Sequence, residues 1–201
     1  AHGSAAVLVD AWRDRGTDLF DVFGGPASLA IVDARKREAL IAIDRIGIQQ
    51  MSFALSPDGA LVFASDARAV CRHPAIDARI SRQALFNYLY FYISPGPPTI
   101  FEGVEKLQPG QFCHFRNGAL TRSFYWQPAY AEPTGARAEE YAERMREGLN
   151  ASVGAASDSV EDVEVGSFLS GGLDSTTVSG YLAGHRPGAK SFTIAFPEEK
   201  Y

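Results

Sequence analysis

The sequence predicts an α+β fold of antiparallel strands and helices over residues 1–127, followed by the start of an α/β unit with a parallel sheet. Three observations predict this. Short apolar runs broken by turn-forming residues recur through the first half of the chain. Asn117-Gly118 joins two of them and is the strongest short hairpin signal present. Beyond a proline-bearing stretch, an apolar run ends in Ser170-Gly171-Gly172, a helical pattern follows, and a second apolar run comes after it, which is the strand-helix-strand order of a parallel sheet.

Composition narrows the classes further. With 201 residues, 46% hydrophobic and 21% charged, the chain suits one large or two small domains with a substantial core. A net charge of −5 argues against nucleic acid or an anionic membrane surface as the main partner. No apolar run approaches the roughly 20 residues that span a bilayer, and the first residues do not form a signal peptide. A cytoplasmic location is expected. Cys71 and Cys113 lie far apart without a metal-binding or redox spacing, so both are expected in the core. His2, His73, His114 and His185 show no metal-ligand spacing either.

Taken in order, Ser4 to Arg15 reads as a helix capped by Ser4 and stopped by Gly16, with Val7, Leu8, Ala11 and Trp12 on one face. Ala27 to Asp33, Ala39 to Asp44, Met51 to Leu55 and Ala60 to Ser65 read as four strands of one antiparallel meander. The basic tip Arg35-Lys36-Arg37 between the first two is expected to be solvated. Ala67 to Arg72 makes a helical turn ended by His73-Pro74. Ser81 caps a helix reaching Tyr92, whose Leu85, Phe86, Leu89 and Ile93 are spaced as a buried face against the sheet. Ser94 to Pro98 cannot continue it. Gln111 to Arg116 and Ala119 to Trp126 pair across Asn117-Gly118, and residues 128–136 form a linker. A longer helix starts at Ala138, with Tyr141, Ala142, Met145, Leu149 and Val153 inward. The acidic stretch Asp158, Glu161, Asp162 and Glu164 reads as a solvated approach to the next strand. Val163 to Leu169 and Ser191 to Phe196 are buried strands flanking a helix that Gly184 and Pro187 end.

The turn between the first of those strands and its helix carries the chemistry. Two adjacent glycines open backbone conformations closed to other residues and remove side chains that would obstruct a bulky ligand. Amides at a helix N-terminus suit phosphate oxygens. Ser170, Ser175 and Thr176 add hydroxyls, while the Asp174 carboxylate beside phosphate calls for a divalent cation between them. The expected ligand is a magnesium nucleotide. The string lacks the lysine of a Walker loop and the glycine spacing of a dinucleotide fold.

Ser170 to Ser175 resembles the pyrophosphate-binding loop of N-type ATP pyrophosphatases. With Asp44-Arg45-Ile46-Gly47, Phe63-Ala64-Ser65, Thr99 to Val104, Leu107 to Gly110 and Tyr125-Trp126, the chain resembles the asparagine synthetase family along essentially its whole length. The resemblance implies a glutaminase-like domain at 1–127, a linker at 128–136 and the start of an ATP-binding synthetase domain at 137–201, incomplete at both outer ends. It implies an enzyme that adenylates a small-molecule or peptide carboxylate with ATP and Mg2+ and passes the acyl group to an amine from glutamine, ammonia or the substrate itself. Ser170, Gly171, Gly172, Asp174 and Ser175 would hold the pyrophosphate portion of ATP, with Asp174 on the metal, and Leu169 and Ile194 would line the adenine pocket. Plain core packing is the alternative for those two apolar residues. No catalytic residue is assigned, and a homodimer is left open.

The glutaminase half departs from the family pattern. Residue 1 is alanine where a working enzyme uses an N-terminal cysteine as nucleophile. Gly3-Ser4-Ala5-Ala6 stands where relatives carry an aspartate for the glutamine amine, and Ile43 where they carry an arginine. β-Lactam synthetases and lasso-peptide cyclases, which use the substrate's own amine, share such a degenerate half. They form the alternative within the class. A non-catalytic nucleotide-binding module is the alternative outside it.

Overall fold

The computed structural model describes residues 4–131, 135, 137–160 and 163–195. The chain divides into two compact units, Ala1–Ala129 and Tyr130–Tyr201. In the first unit, helix α1 (Ser4–Arg15) leads through Gly16, at φ 61°, into a 3-10 segment (Gly16–Val22). Strands β1 (Ser28–Asp33), β2 (Glu38–Ile43), β3 (Ser52–Leu55) and β4 (Leu61–Ala64) follow, then α2 (Ala67–Val70) and α3 (Arg82–Phe91). Strands β5 (Glu105–Lys106), β6 (Gln111–Arg116) and β7 (Ala119–Phe124) close it.

The expected single meander divides after its second strand. β2 pairs with β6, so one sheet runs β1-β2-β6-β7, while β3 joins β4 and β5 in another. Both are antiparallel throughout. Strand β2 is the hinge of the architecture because it is covered on both faces. Leu40 and Ala42 pack with Trp12, Leu19, Phe20, Phe23, Leu29 and Ile31, under α1 and the 3-10 segment. Ile41 and Ile43 face the other way and pack with Met51, Phe53, Leu107 and Cys113, joining the two sheets. A strand buried on both sides needs an unbroken apolar run, which Ala39 to Ile43 supplies. Of the expected α1 face, Trp12 is buried with Leu8 and Ala11 against it, whereas Val7 is 48% exposed.

The turns follow local chemistry. Asn117 and Gly118 take φ values of 51° and 80°, the paired positive angles of a tight hairpin turn. The Asp33 carboxylate accepts the amides of Arg35 (3.0 Å) and Lys36 (3.1 Å), leaving the basic tip in solvent. Ser81 caps α3 by accepting the Ala84 amide at 3.2 Å. The face expected to be buried on α3 is open: Phe86 is 61% exposed, Leu89 67% and Ile93 63%, and only Ala84 is buried within the helix. The one buried side chain of the helix is thus a small one, and its large residues face outward.

The second unit holds α4 (Ala138–Asp158), β8 (Gly166–Phe168), α5 (Leu173–His185) and β9 (Lys190–Phe192). β8 and β9 pair in parallel, Gly166 with Lys190 and Phe168 with Phe192. Both strands are shorter and more open than expected: all of β9 is exposed, as are Gly166 and Phe168 of β8. Phe196, the expected end of the second strand, lies outside the described residues, as do Glu161 and Asp162. α4 and α5 meet at Gly154, where an added Cβ would lie 2.8 Å from His185 Cε1. His185 Nε2 is 2.9 Å from Asn150 Oδ1, and Arg186 donates to the Ser157 carbonyl at 2.7 Å, so the last turn of α5 grips the end of α4.

Candidate nucleotide-binding loop

The loop runs from Leu169, just past β8, to the first turn of α5. Leu169 donates its amide to the Phe192 carbonyl at 2.7 Å, which extends the parallel pairing to the lip of the loop. Gly171 takes φ 83°, a conformation that favours glycine, and space within 4 Å of it is open on the side where a Cβ would project. Gly172 is the N-cap of α5 and has no side-chain cap. The first bond into the helix is from Thr176 N–H to the Gly172 carbonyl at 3.1 Å, so the amides of Leu173, Asp174 and Ser175 precede the ladder. Together with the helix dipole, these amides make a site for an anion.

The serines shape the loop from within. Ser175 Oγ accepts the Ser170 amide at 3.2 Å, lies 3.0 Å from Ser170 Oγ and donates to the Gly172 carbonyl at 3.2 Å. Asp174 stands exposed in the first turn and forms no ion pair among the described residues. A carboxylate there suits a hard cation whose other ligands are phosphate and water. The cations Lys190 and Arg186 lie at the far end of the unit, Lys190 opposite Gly166 at the amino edge of the parallel pair and Arg186 at the C-cap of α5, and they are engaged there, the first with Glu164 at 3.0 Å and the second with carbonyls of Ser157 and Val160. Phosphate recognition would therefore fall to backbone amides, hydroxyls and metal.

The apolar candidates separate. Leu169 is partly covered beside the loop, whereas Ile194 lies two residues past β9 and is 79% exposed. Both are at the carboxyl edge of the parallel pair, the edge from which the loop springs. One feature escaped the sequence reading: Ser167 of β8 places its Oγ 2.9 Å from Ser179 Oγ of α5 and 3.4 Å from Ser191 Oγ of β9. The repeat of serine at 175 and 179, one helical turn apart, is the sequence signal that pointed there.

In the first unit the motif residues hold the fold. Asp44 is 4% exposed and accepts amides from Ile46 (3.3 Å), Ile48 (2.9 Å) and Gln49 (2.8 Å). Burial pushes its carboxyl pKa up, yet the amides of Gln49, Ile48 and Ile46 outweigh that and hold it below the usual carboxylate value. The Asp44 carbonyl accepts the Gly110 amide at 2.9 Å, and Gly47, at φ 72°, lies against Pro109. Thr99 Oγ1 donates to the Val104 carbonyl at 2.8 Å. Tyr125 stacks on Phe20, with ring centroids 4.1 Å apart, and donates to the Ile43 carbonyl at 2.8 Å; burial pushes its pKa up to about 12. Ile43, 2% exposed, sits in the core between the sheets. Burial likewise pushes the Cys113 thiol up to about 12, as befits an inert core residue. Ala1 and Gly3 lie outside the described residues, and among those described no cluster of three or more metal-ligating side chains occurs.

Comparison with known proteins agrees with this division. Residues 1–126 match the family described as a glutamine amidotransferase domain, and residues 144–201 match asparagine synthase. The protein is thus of the class that joins an amidotransferase-type domain to synthetase sequence. It is similar to the glutamine-hydrolyzing asparagine synthetase 3 of Bacillus subtilis, 29% identical over 180 residues, covering 89% of this chain and 29% of that protein. The glutamine-hydrolyzing asparagine synthetase 1 of the same organism is 29% identical over 161 residues, covering 80% and 25%. The chain belongs to the asparagine synthetase family. It spans between about a quarter and two fifths of the length of the curated relatives it matches. Among solved structures, a glutamine phosphoribosylpyrophosphate amidotransferase from B. subtilis complexed with ADP and GMP is similar at a TM-score of 0.40 and 14% identity, covering 96% of this chain and 39% of that one.

Proposed function

We propose that the protein is an ATP-dependent amide-forming ligase that activates a carboxylate as its adenylate. The observation that carries this reading is the uncapped N-terminus of α5, with three amides ahead of its hydrogen-bond ladder, an open Gly171-Gly172 turn and an Asp174 that has no ion pair among the described residues. The pyrophosphate portion of ATP would lie against Ser170, Gly171, Gly172 and Ser175, and Mg2+ would join it to Asp174. A substrate carboxylate oxygen would attack the α-phosphorus and release pyrophosphate. An amine would then attack the acyl carbon, form the amide and release AMP. Leu169 and Ile194 would border the base. The net charge of −5 supports a small-molecule or peptide substrate over nucleic acid, and the absence of a helix long and apolar enough to cross a membrane among the described residues is compatible with a cytoplasmic enzyme.

Two amine sources divide the reading. The names of the relatives favour glutamine or ammonia with aspartate as the acyl substrate. The buried Ile43, standing where the family carries an arginine, favours a cyclase-like enzyme that uses the substrate's own amine. AMP and pyrophosphate release by the full-length protein, with aspartate present and glutamine, ammonia or neither supplied, tests both. Aspartate-dependent AMP release stimulated by either nitrogen source supports asparagine synthesis and argues against a strict cyclase. AMP release from another carboxylate, indifferent to both nitrogen sources, supports the cyclase, and no pyrophosphate from any carboxylate contradicts the ligase reading.

A further inference from the structure

The inner face of α5 is unusual where it meets the sheet. Leu182, 5% exposed, anchors the far half of the helix in the ordinary apolar way. Nearer the loop the partly covered positions on the same stripe, at helical spacing, are Ser179 and Ser175. Ser175 is committed to the loop itself. One turn further along, Ser179 meets Ser167 at 2.9 Å, and Ser167 also approaches Ser191 at 3.4 Å. Three hydroxyls from β8, α5 and β9 therefore converge one turn beneath the phosphate-facing amides.

Apolar packing holds a helix against a strand but sets neither its rotation nor its slide along the axis, because it has no direction. A hydroxyl pair has direction and a short reach. Serine is also small, so it lets the helix approach β8 closely at the end where the loop must be held. A site that reads phosphate through amides works only if those amides keep their positions to within about half an ångström.

We propose that Ser167 and Ser179, with Ser191 as the weaker third member, form a hydroxyl tie that sets the register of α5 on the parallel strands and so positions the 170–175 loop for a polyphosphate. This rests on the nucleotide reading given above. The three serines are positioning residues: the tie acts through the loop, and none of them is assigned a contact with the nucleotide.

The test compares the parent with Ser167→Ala, Ser179→Ala, the double variant and Ser179→Thr in two measurements. In amide exchange without nucleotide, loss of the tie speeds exchange at Leu169, Ser170 and Thr176, whose amides bond across the loop, while α4 stays protected. In calorimetric titration with magnesium ATP, each alanine variant weakens binding about three- to tenfold, the worth of one hydrogen bond. The double variant loses little more than either single one, and Ser179→Thr recovers most of the affinity. Unchanged exchange and affinity in the alanine variants overturn the tie. So does a loss of protection spread evenly over the unit with a lower melting temperature, since that marks general packing. A parent that fails to bind magnesium ATP contradicts the nucleotide reading instead, and the exchange comparison then still decides whether the tie holds the loop.

Discussion

The family motifs of the two units differ in what surrounds them. In the first, Asp44, Thr99 and Gly110 are drawn into the fold: the carboxylate takes three amides, the threonine hydroxyl bonds a carbonyl, and the glycine backbone meets Asp44. In the second, Gly171, Gly172 and Asp174 are exposed, with amides ahead of the helix ladder and a carboxylate without an ion pair among the described residues. Polar groups that a protein satisfies internally are building material, whereas polar groups left open at a helix N-terminus are available for a ligand. One family signature thus divides into a part built into the fold and a part left open to solvent.

The sharpest way to break that contrast is at Gly110. It sits at φ 67°, and an added Cβ would lie 2.3 Å from the Trp126 carbonyl oxygen. Gly110→Ala is expected to cost about 3 kcal/mol or more, from backbone strain and displacement of the 125–126 segment. The denaturant midpoint of the first unit reads this, and a midpoint within error of the parent would remove Gly110 from the architecture. Next comes Asp44→Ala, which removes a buried carboxylate that three backbone amides share and is expected to cost about 2–3 kcal/mol by the same measurement, leaving nucleotide binding unchanged.

Acid sharpens the comparison with a smaller effect. The folded pKa of Asp44 lies below its unfolded value of about 3.9, so the unfolded chain takes up the proton more readily. The carboxylate's contribution is complete above that unfolded value and is lost as pH falls through the folded one. Stability measured from pH 5 to pH 2.5 should therefore fall more steeply in the parent than in Asp44→Asn. Parallel curves would show that the backbone hydrogen bonds do not hold the charge.

Much of the local structure was legible because it depends on neighbouring residues. Asn117-Gly118, the Ser81 cap and the Gly171-Gly172 turn each state their backbone requirement within a few positions. Partnership was not legible. An apolar run marks Ala39 to Asp44 as a strand but does not say that it pairs with Gln111 to Arg116 rather than with Met51 to Leu55, since pairing is decided by the packed whole. Helical spacing at Phe86, Leu89 and Ile93 likewise marks a water-avoiding face without naming what covers it, and those residues stand open. The 3-10 segment escaped because Leu19 and Phe20 are too few to show a period, though both are buried. In the candidate site, the loop was readable from its glycines and Asp174, whereas the Ser167–Ser179 contact joins residues 12 apart on different elements and became visible only when folded.

The most direct test of the contrast is magnesium ATP binding by the parent and by the Ser170→Ala, Asp174→Asn double variant, measured by titration calorimetry alongside the melting temperature without ligand. The account predicts saturable, magnesium-dependent binding by the parent, none by the double variant, and closely similar ligand-free melting, because these side chains serve a ligand more than the fold. Equal binding by both proteins would contradict it.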